Sequence, residues 1–307
     1  MIEVTNLSKR YGAHEALRGI SFKAEAGEIL GILGPNGAGK TTTMRILTGF
    51  MPPSGGTVTV DGLDVARDSL AVRERVGYLP ERVPLYPDMT VEGYVAFWAR
   101  LRGVKDVSAQ VKRVLERVSL YDRRQSLVRK LSKGMKQRLG LAQALVHDPQ
   151  VVILDEPTIG IDPQQVIEVR AAVRELARSH TVLFSTHILS EAEQVCDRVV
   201  ILDRGLVVAE GRPEELRLRL QKQVDLVVAV GRAKQEDARA LLEGIPGVER
   251  VSAQGPGTFI VRSKGGADLR PQIAERVVKQ GYALLELRPL AMTLEDIFLD
   301  IVERRGS

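Results

Sequence analysis

The stretch Gly34-Pro35-Asn36-Gly37-Ala38-Gly39-Lys40-Thr41 decides the fold class of this 307-residue chain. It follows the apolar run 28–33, which predicts a buried parallel strand, and residues 39–47 after it have helical character. A glycine-rich loop between a strand and a helix lets backbone N–H groups converge on phosphate oxygens, and the helix N-terminus adds partial positive charge. The stretch therefore predicts an α/β fold with a polyphosphate-binding loop.

The residues of this loop have distinct expected roles. Lys40 is expected to reach the β- and γ-phosphates of a nucleotide, and the Thr41 hydroxyl is expected to hold Mg²⁺. The predicted phosphate-binding residues are Gly34, Pro35, Asn36, Gly37, Ala38, Gly39, Lys40, Thr41 and Thr42. The alternative, a glycine-rich surface turn, does not account for the strand before the loop and the helix after it.

A second chemical feature is the acidic pair Asp155-Glu156, which follows the predicted buried strand 151–154. In a parallel α/β sheet, ligands bind beyond the carboxyl ends of the strands. This places Asp155 near the metal and Glu156 near the γ-phosphate. An aspartate that acts through Mg²⁺ and a glutamate that accepts a proton from water predict a nucleotide hydrolase.

The composition disfavours several classes of protein. Hydrophobic residues make up 44% and charged residues 27% of the chain, which argues against global disorder and a fibrous repeat. No apolar run approaches the ~18 residues of a membrane-spanning helix, and we expect no signal peptide. The single cysteine, Cys196, excludes an internal disulfide and fits a reducing cytoplasm. The net charge of +5 is mild for a protein that binds nucleic acid, so no nucleic-acid partner is expected.

The pattern along the chain predicts two domains. Residues 1–220 alternate strands and helices, except over 88–148, where apolar residues recur at helical spacing and predict an inserted helical subdomain. Residues 221–307 follow the order βαββαβ, with a final helix over 294–302. This order predicts a small α+β domain of ferredoxin-like type. No catalytic constellation is evident in the second domain.

Further motifs lie between the phosphate loop and residue 187. They are Leu131-Ser132-Lys133-Gly134-Met135-Lys136-Gln137, Leu154-Asp155-Glu156-Pro157, Gly160-Ile161-Asp162 and Ser185-Thr186-His187. With the phosphate loop, these motifs have the order and spacing of one family. Over residues 1 to about 220 the chain resembles the ATP-binding subunit of an ABC transporter. The resemblance implies a P-loop ATPase core, with ATP as the nucleotide and Mg²⁺ as the metal.

The resemblance also implies roles that local spacing does not show. Tyr11 stands at the family's aromatic position, where a ring stacks on adenine. His187 corresponds to the histidine that contacts the γ-phosphate and completes the catalytic set with Glu156 and Lys40. Asp162 lies in the loop that crosses the dimer interface. Ser132 and Gly134 cap the γ-phosphate of ATP bound to the other protomer, in agreement with the anion affinity of a helix N-terminus.

The chain departs from the family pattern at two positions. Lys133 replaces a glycine of the signature, a form that resembles an exporter-like subfamily whose ATPase and membrane subunits are separate chains. Glu81 stands where the family has glutamine. Either Glu81 contacts Mg²⁺, directly or through water, or it turns away and serves in the hinge to the helical subdomain; we favour a water-mediated metal contact. The C-terminal unit resembles a domain appended in the same subfamily, where it would support the dimer or regulate it.

Three aromatic side chains of the helical subdomain allow two interpretations. Tyr94, Phe97 and Trp98 either belong to the core of the subdomain or flank the groove where a cytoplasmic helix of a membrane subunit docks. Of the four histidines, His14, His147 and His180 show no metal-ligand spacing. We assign them no role in the chemistry.

The predicted function follows from these motifs. The chain is expected to bind and hydrolyse ATP, to form a homodimer or pair with a related ATPase around two Mg·ATP, and to drive a separate integral membrane permease, for export rather than import. It is expected in the cytoplasm, held at the inner face of the membrane through that permease. The alternatives are a soluble ABC ATPase that acts on ribosomes or DNA, and a paralogue that does not hydrolyse ATP. A single phosphate loop and the absence of sustained heptads disfavour the former, and Glu156 with His187 disfavours the latter.

Overall fold

The computed structural model describes residues 1–220, 225–264 and 267–290. The chain divides into two compact units, the first comprising Met1–Pro213 and the second beginning at Glu214. A domain boundary after residue 220 stays a prediction, because residues 221–224 lie outside the described residues. The predicted final helix over 294–302 also lies outside them. No helix in the described parts of the chain is long and apolar enough to cross a membrane.

The first unit alternates strands and helices, as the sequence predicts. Its strands are β1 (Ile2–Tyr11), β2 (His14–Ala24), β3 (Ile29–Leu33), β4 (Gly55–Val60), β5 (Leu63–Asp64), β6 (Val76–Leu79), β7 (Val151–Asp155), β8 (Thr181–Thr186), β9 (Arg198–Asp203) and β10 (Leu206–Gly211). Its helices are α1 (Lys40–Leu47), α2 (Ser69–Arg75), α3 (Val91–Leu101), α4 (Val107–Arg117), α5 (Lys133–Leu145), α6 (Pro163–Ala177) and α7 (Leu189–Val195). Helix α8 (Pro213–Leu220) begins where the two units meet in sequence.

Two sheets form the body of the first unit. The larger has the order β10-β9-β3-β8-β7-β6, with all neighbours parallel except β10 beside β9. The smaller is antiparallel, with the order β2-β1-β4-β5. One hydrophobic cluster joins both sheets and α1, with Ile2 and Leu17 from the smaller sheet, Ile32 and Ile153 from the larger, and Met44 from the helix. Each such side chain contributes about 1.5–3 kcal/mol on burial.

The helical subdomain lies in the chain between β6 and β7. Its three helices contact one another, and each begins at a side chain that accepts a backbone N–H: Thr90 for α3, Asp106 for α4 and Ser132 for α5. Tyr94 is fully buried, which decides for the core interpretation at this position. Phe97 is 39% exposed and meets the ring of Tyr86 edge-on, so it remains available for a contact outside the chain.

The second unit has the predicted order of elements. They are β11 (Leu226–Gly231), α9 (Gln235–Glu243), β12 (Val248–Gly255), β13 (Thr258–Ser263), α10 (Arg270–Lys279) and β14 (Ala283–Pro289). The strands form an antiparallel sheet in the order β12-β13-β11-β14. In this βαββαβ arrangement the first strand lies between the third and the fourth. Buried residues of α9 and α10, such as Leu242 and Ile273, join its core with Val228 and Phe259 of the sheet.

Candidate active site

The register of the larger sheet brings the candidate residues to one edge. In the parallel pairs, Leu33 at the end of β3 stands beside Thr186, and Asp155 at the end of β7 stands beside Ser185. The phosphate loop follows β3, the acidic pair spans the end of β7, and His187 follows β8. Because the carboxyl ends of parallel strands meet at the same edge, three distant segments of sequence form one site.

The phosphate loop needs glycine at two positions. A Cβ on Gly34, which has φ +149°, would overlap the carbonyl oxygen of Leu202 on β9. Gly39 has φ +107° and is the N-cap of α1, and a Cβ there would meet Leu17 at 2.6 Å. These glycines therefore let the loop turn directly into the helix, whose first N–H groups form an anion site.

Lys40 is the first residue of α1 and is buried, with 6% exposure. Its Nζ donates hydrogen bonds to the carbonyl oxygens of Gly34 (2.7 Å) and Pro35 (3.3 Å). The same ammonium lies 3.3 Å from Oε1 of Glu156, whose side chain is also buried. The positive charge is therefore held between the loop and the carboxylate.

Ser185 fixes the acidic pair. Its hydroxyl donates to Oδ1 of Asp155 at 2.7 Å and accepts the N–H of Glu156 at 3.0 Å. Glu156 has φ +49°, a left-handed conformation that costs a non-glycine residue roughly 1–2 kcal/mol. The turn sends the side chain of Glu156 back toward Lys40, and the bond from Ser185 supports that turn.

Asp155 is almost fully buried at the end of β7. Burial raises the pKa of its carboxyl group, and the negative charges of Glu156 and Glu81 act in the same direction, whereas hydrogen bonds from Ser185 and Thr41 oppose them. The Tyr78 hydroxyl lies 3.4 Å from Oδ2 of Asp155, and its pKa is raised by burial and by that neighbouring charge. A cation here would stabilise the ionised carboxylate.

His187 completes the cluster from the loop after β8. Its Nδ1 lies 2.8 Å from Oε2 of Glu156, and its side chain is 38% exposed. Lys40 and His187 thus contact different oxygens of one carboxylate. All three side chains border the same pocket, which has a volume of about 520 Å³.

The pocket brings together most of the predicted binding residues. It is lined by Tyr11, His14, Ala16, Pro35, Asn36, Gly37, Gly39, Lys40, Thr41, Thr42, Glu81, Glu156, Ile159 and His187. Tyr11 is 44% exposed, its hydroxyl lies 3.0 Å from Sδ of Met51, and Lys9 Nζ lies 5.5 Å from the centre of its ring. Gly34, Ala38 and the predicted metal ligand Asp155 are not in the lining, and all three are buried. Gly34 and Ala38 belong to the phosphate loop itself.

Three further predicted residues, from the segments that begin α5 and α6, do not line this pocket. Ser132 is the N-cap of α5 and accepts the N–H of Met135, and Asp162 is the N-cap of α6 and accepts the N–H of Gln165. Gly134 lies against the Gln165 side chain so closely that a Cβ would overlap it. Within one chain these three residues do not line the pocket that contains the phosphate loop, so their contact with nucleotide stays a prediction.

Sequence reasoning missed some residues of the site. His14, Ala16 and Ile159 line the pocket without carrying a motif of their own. Tyr78 and Ser185 contact Asp155, but only the strand register shows it. The positions of His14 and Ala16, three and five residues after Tyr11 across the turn between β1 and β2, could have pointed to them.

Comparisons with known proteins agree with the geometry. The family model described as "ABC transporter" matches residues 17–159. An uncharacterised ABC transporter ATP-binding protein, YxlF of Bacillus subtilis, is 35% identical over 98% of this chain and 99% of its own length. The Nod factor export ATP-binding protein I of Paraburkholderia xenovorans is 38% identical over 99% of this chain and 97% of its own length.

A solved ATP-binding subunit of an ABC transporter is 33% identical, with a TM-score of 0.65, over 71% of this chain and 92% of its own. A bacterial ABC transporter cassette solved as a dimer is 26% identical, with a TM-score of 0.63, over 69% of this chain and 98% of its own. The fold and the site define a P-loop ATPase of the ABC type. The chain belongs to the family of ABC transporter ATP-binding subunits, which hydrolyse ATP, form dimers and work with membrane subunits.

Proposed function

We propose that the pocket hydrolyses Mg·ATP with Glu156 as general base, Lys40 as the main phosphate-binding cation and His187 as the group that orients Glu156 and the γ-phosphate. The observation that carries this proposal is the approach of Lys40 and His187 to the two oxygens of Glu156, at 3.3 and 2.8 Å. A bound triphosphate competes with Glu156 for Lys40. This competition frees one carboxylate oxygen to accept a proton from the attacking water, a role worth ~10²–10⁴-fold in rate.

Thr41 and Asp155 fit a magnesium ion. Mg²⁺ takes oxygen ligands and is held by one or two carboxylates together with substrate phosphates and waters. The Thr41 side chain lowers the pKa of the neighbouring Asp155 carboxyl group, and a cation would offset the cost of burying that carboxylate. Within the described residues no cluster of three or more His, Cys, Asp or Glu side chains suits a metal. When bound, the ion would offset negative charge on the phosphates.

Glu81 supports a weaker contact with the same ion. It borders the pocket, and its charge acts on Asp155. Thr41 and Asp155 already supply the expected protein ligands, so Glu81 acts through water. The alternative, a role in the hinge to the helical subdomain, rests on its place two residues after the end of β6, where the chain leaves the sheet.

A second copy of the chain, or a related ATPase, completes each ATP site. Ser132 lies at the N-terminus of α5, a 13-residue helix, so its neighbourhood attracts anions. Because Ser132, Gly134 and Asp162 do not line the nucleotide pocket of their own chain, we assign their phosphate contacts to ATP bound by the partner. Two half-sites then close around two nucleotides.

The dimer drives an integral membrane permease, and the direction of transport is export. Relatives named for Nod factor export and for daunorubicin resistance support this direction, the latter from Streptomyces coeruleorubidus at 41% identity over 70% of the chain. The exposed Phe97 and Tyr86 suit a docking contact with the permease. The chain works in the cytoplasm at the inner face of the membrane through this subunit, and the unit that begins at Glu214 supports or regulates the dimer.

Phosphate release by the purified chain tests the proposal. We expect release from ATP that needs Mg²⁺, stops with EDTA and is lost in Lys40→Ala, because Lys40 binds the phosphates. Nucleotide binding is measured beside it, and co-purification identifies the permease. A chain that binds ATP yet releases no phosphate, alone or with that permease, contradicts the proposed function.

A further inference from the structure

Glu191 on α7 is a buried carboxylate that the chemistry above does not use. Its exposure is 4%, and it does not border the nucleotide pocket. Removing an ionised carboxylate from water is costly unless it is paired and hydrogen-bonded. The partners of this carboxylate therefore indicate the role of Glu191.

Three side chains satisfy this carboxylate. Its Oε2 accepts hydrogen bonds from the hydroxyls of Thr158 (2.6 Å) and Thr186 (3.2 Å). Its Oε1 lies 3.7 Å from Nη2 of Arg170, which belongs to α6 and supplies the opposite charge. Both threonines are buried, at 4% and 0% exposure, so neither hydroxyl has water as a ready alternative.

The two threonines lie beside the catalytic pair in the chain, Thr158 in the segment after β7 and Thr186 at the end of β8. Thr158 follows Glu156 by two residues, and Thr186 directly precedes His187. The Thr186 hydroxyl also accepts the N–H of Ile188 at 3.0 Å, which closes the chain around His187. One oxygen of Glu191 thus joins the residue directly before His187 to the residue two positions after Glu156.

We propose that Glu191 is a positioning residue that sets His187 against Glu156 by holding Thr158 and Thr186 on one oxygen. The proposal rests on the proposed function, in which Glu156 and His187 act on ATP. Ser185 fixes the backbone N–H of Glu156, and Glu191 adds a second side-chain link between these two segments besides the contact of His187 with Glu156 itself. A displacement of about 1 Å between reacting groups costs as much as 10²-fold in rate, so a fixed spacing matters.

The experiment separates the hydroxyl groups from the shape of the side chains. Thr158→Val and Thr186→Val keep the volume and lose the hydrogen bond, whereas Thr158→Ser and Thr186→Ser keep the hydroxyl. We expect each valine variant to lower kcat by roughly 10–100-fold, with KM for ATP within about twofold, because the lost interaction orients the catalytic groups and not the nucleotide. The serine variants should keep kcat within about threefold.

The matched control is Thr181→Val on the same strand. Thr181 is also a buried threonine at 3% exposure, but it lies at the opposite end of β8 and contacts the N–H of Gly27. The kcat of Thr181→Val should equal that of the parent chain. In the double variant Thr158→Val/Thr186→Val, kcat should fall little further than in either single variant, because both act through one carboxylate.

Two outcomes overturn the positioning role. One is a valine variant whose kcat matches that of Thr181→Val. The other is a crystal structure of the double variant in which Nδ1 of His187 remains 2.8 Å from Oε2 of Glu156. The crystal structure tests the geometry directly, so it judges the positioning role of Glu191 even if the parent chain releases no phosphate. A parent chain without phosphate release would contradict the proposed function but not the position of His187 against Glu156.

Discussion

Nδ1 of His187 and Oε2 of Glu156 lie 2.8 Å apart, although 31 positions separate the two residues in sequence. The contact exists because β7 and β8 are parallel neighbours with Asp155 paired to Ser185, so the loops after both strands leave the sheet side by side. The other oxygen of Glu156 lies near Lys40. The site therefore places the Glu156 carboxylate between the ammonium group of Lys40 and the imidazole of His187. The chemistry of Glu156 depends on the contacts that these two neighbours keep or give up when nucleotide binds.

The ring of Tyr11 is expected to hold the adenine. Tyr11→Ala should weaken ATP binding by ~1–3 kcal/mol, the range for stacking of an aromatic ring on a base. Tyr11→Phe keeps the ring and loses only the hydroxyl contact with Met51, so its affinity should match the parent. Calorimetry with a non-hydrolysed ATP analogue measures both. Equal affinity in Tyr11→Ala and the parent would mean that another residue binds the base.

Dimer formation is expected to depend on ATP and on Ser132. Light scattering should show Glu156→Gln, which retains bound ATP, as a dimer with Mg·ATP and a monomer without it. Adding Ser132→Ala should weaken this dimer, because the substitution removes the proposed phosphate contact as well as the N-cap of α5.

Thr90→Ala is the control for that loss of capping. Thr90 caps α3 in the same subdomain, so its replacement also costs about 0.5–2 kcal/mol of stability. It should leave the dimer unchanged. If the two substitutions affect the dimer equally, Ser132 acts only as a helix cap.

The charge of Glu81 is expected to be dispensable for basal hydrolysis. At ~5 Å and an effective dielectric of ~20, two like charges repel by ~3 kcal/mol before screening, so Glu81 beside a triphosphate is tolerable only with a cation nearby. Glu81→Gln should keep basal ATPase activity within about fivefold if the metal contact runs through water. Glu81→Ala should disturb stimulation by the permease more than basal activity. A hundredfold basal loss in Glu81→Gln would show that the metal site needs the charge itself.

His147 is expected to make stability depend on pH. Burial, with the charge of Arg102, lowers the pKa of His147 from 6.5 to about 4, and its Nε2 lies 3.2 Å from the carbonyl oxygen of Val76. The unfolded chain binds a proton below about pH 6.5 and the folded chain does not, so stability is full above that pH and falls as the pH drops toward 4. The loss is at most ~3 kcal/mol.

Urea unfolding at pH 7.5 and pH 4.5 measures this effect. His147→Gln should be less stable than the parent at pH 7.5 but should lose less on acidification. His14→Gln replaces an exposed histidine and should keep the parent's pH dependence. A parent whose unfolding free energy changes with pH no more than that of His147→Gln would contradict the role of His147.

Much of the fold follows from local sequence patterns. The runs 28–33 and 151–154 are continuous apolar stretches, which predict buried parallel strands, and the structure contains them as β3 and β7. Glycines and polar residues that follow such strands must lie at one edge of the sheet. For this reason the sequence alone predicts that Lys40, Asp155 and Glu156 lie together.

Other features depend on contacts that no local pattern shows. Ser185 bridges Asp155 and Glu156 only because β8 lies beside β7 in a particular register. Glu191 looks like an ordinary helical glutamate in the sequence. In the structure it is buried and bonded by Thr158 and Thr186, which come from two other segments of the chain. The packing of Gln165 on Gly134 likewise depends on how α6 meets α5.

Turnover of Glu156→Gln, measured beside ATP binding, tests the central claim most directly. The substitution keeps the shape of the side chain and removes its ability to accept a proton, while Glu175→Gln, an exposed pair partner of Arg178, serves as the control. The account predicts steady-state phosphate release ~10²–10⁴-fold below the parent with ATP affinity retained, and a control equal to the parent. Turnover within about threefold of the parent would contradict the assignment of Glu156 as the general base.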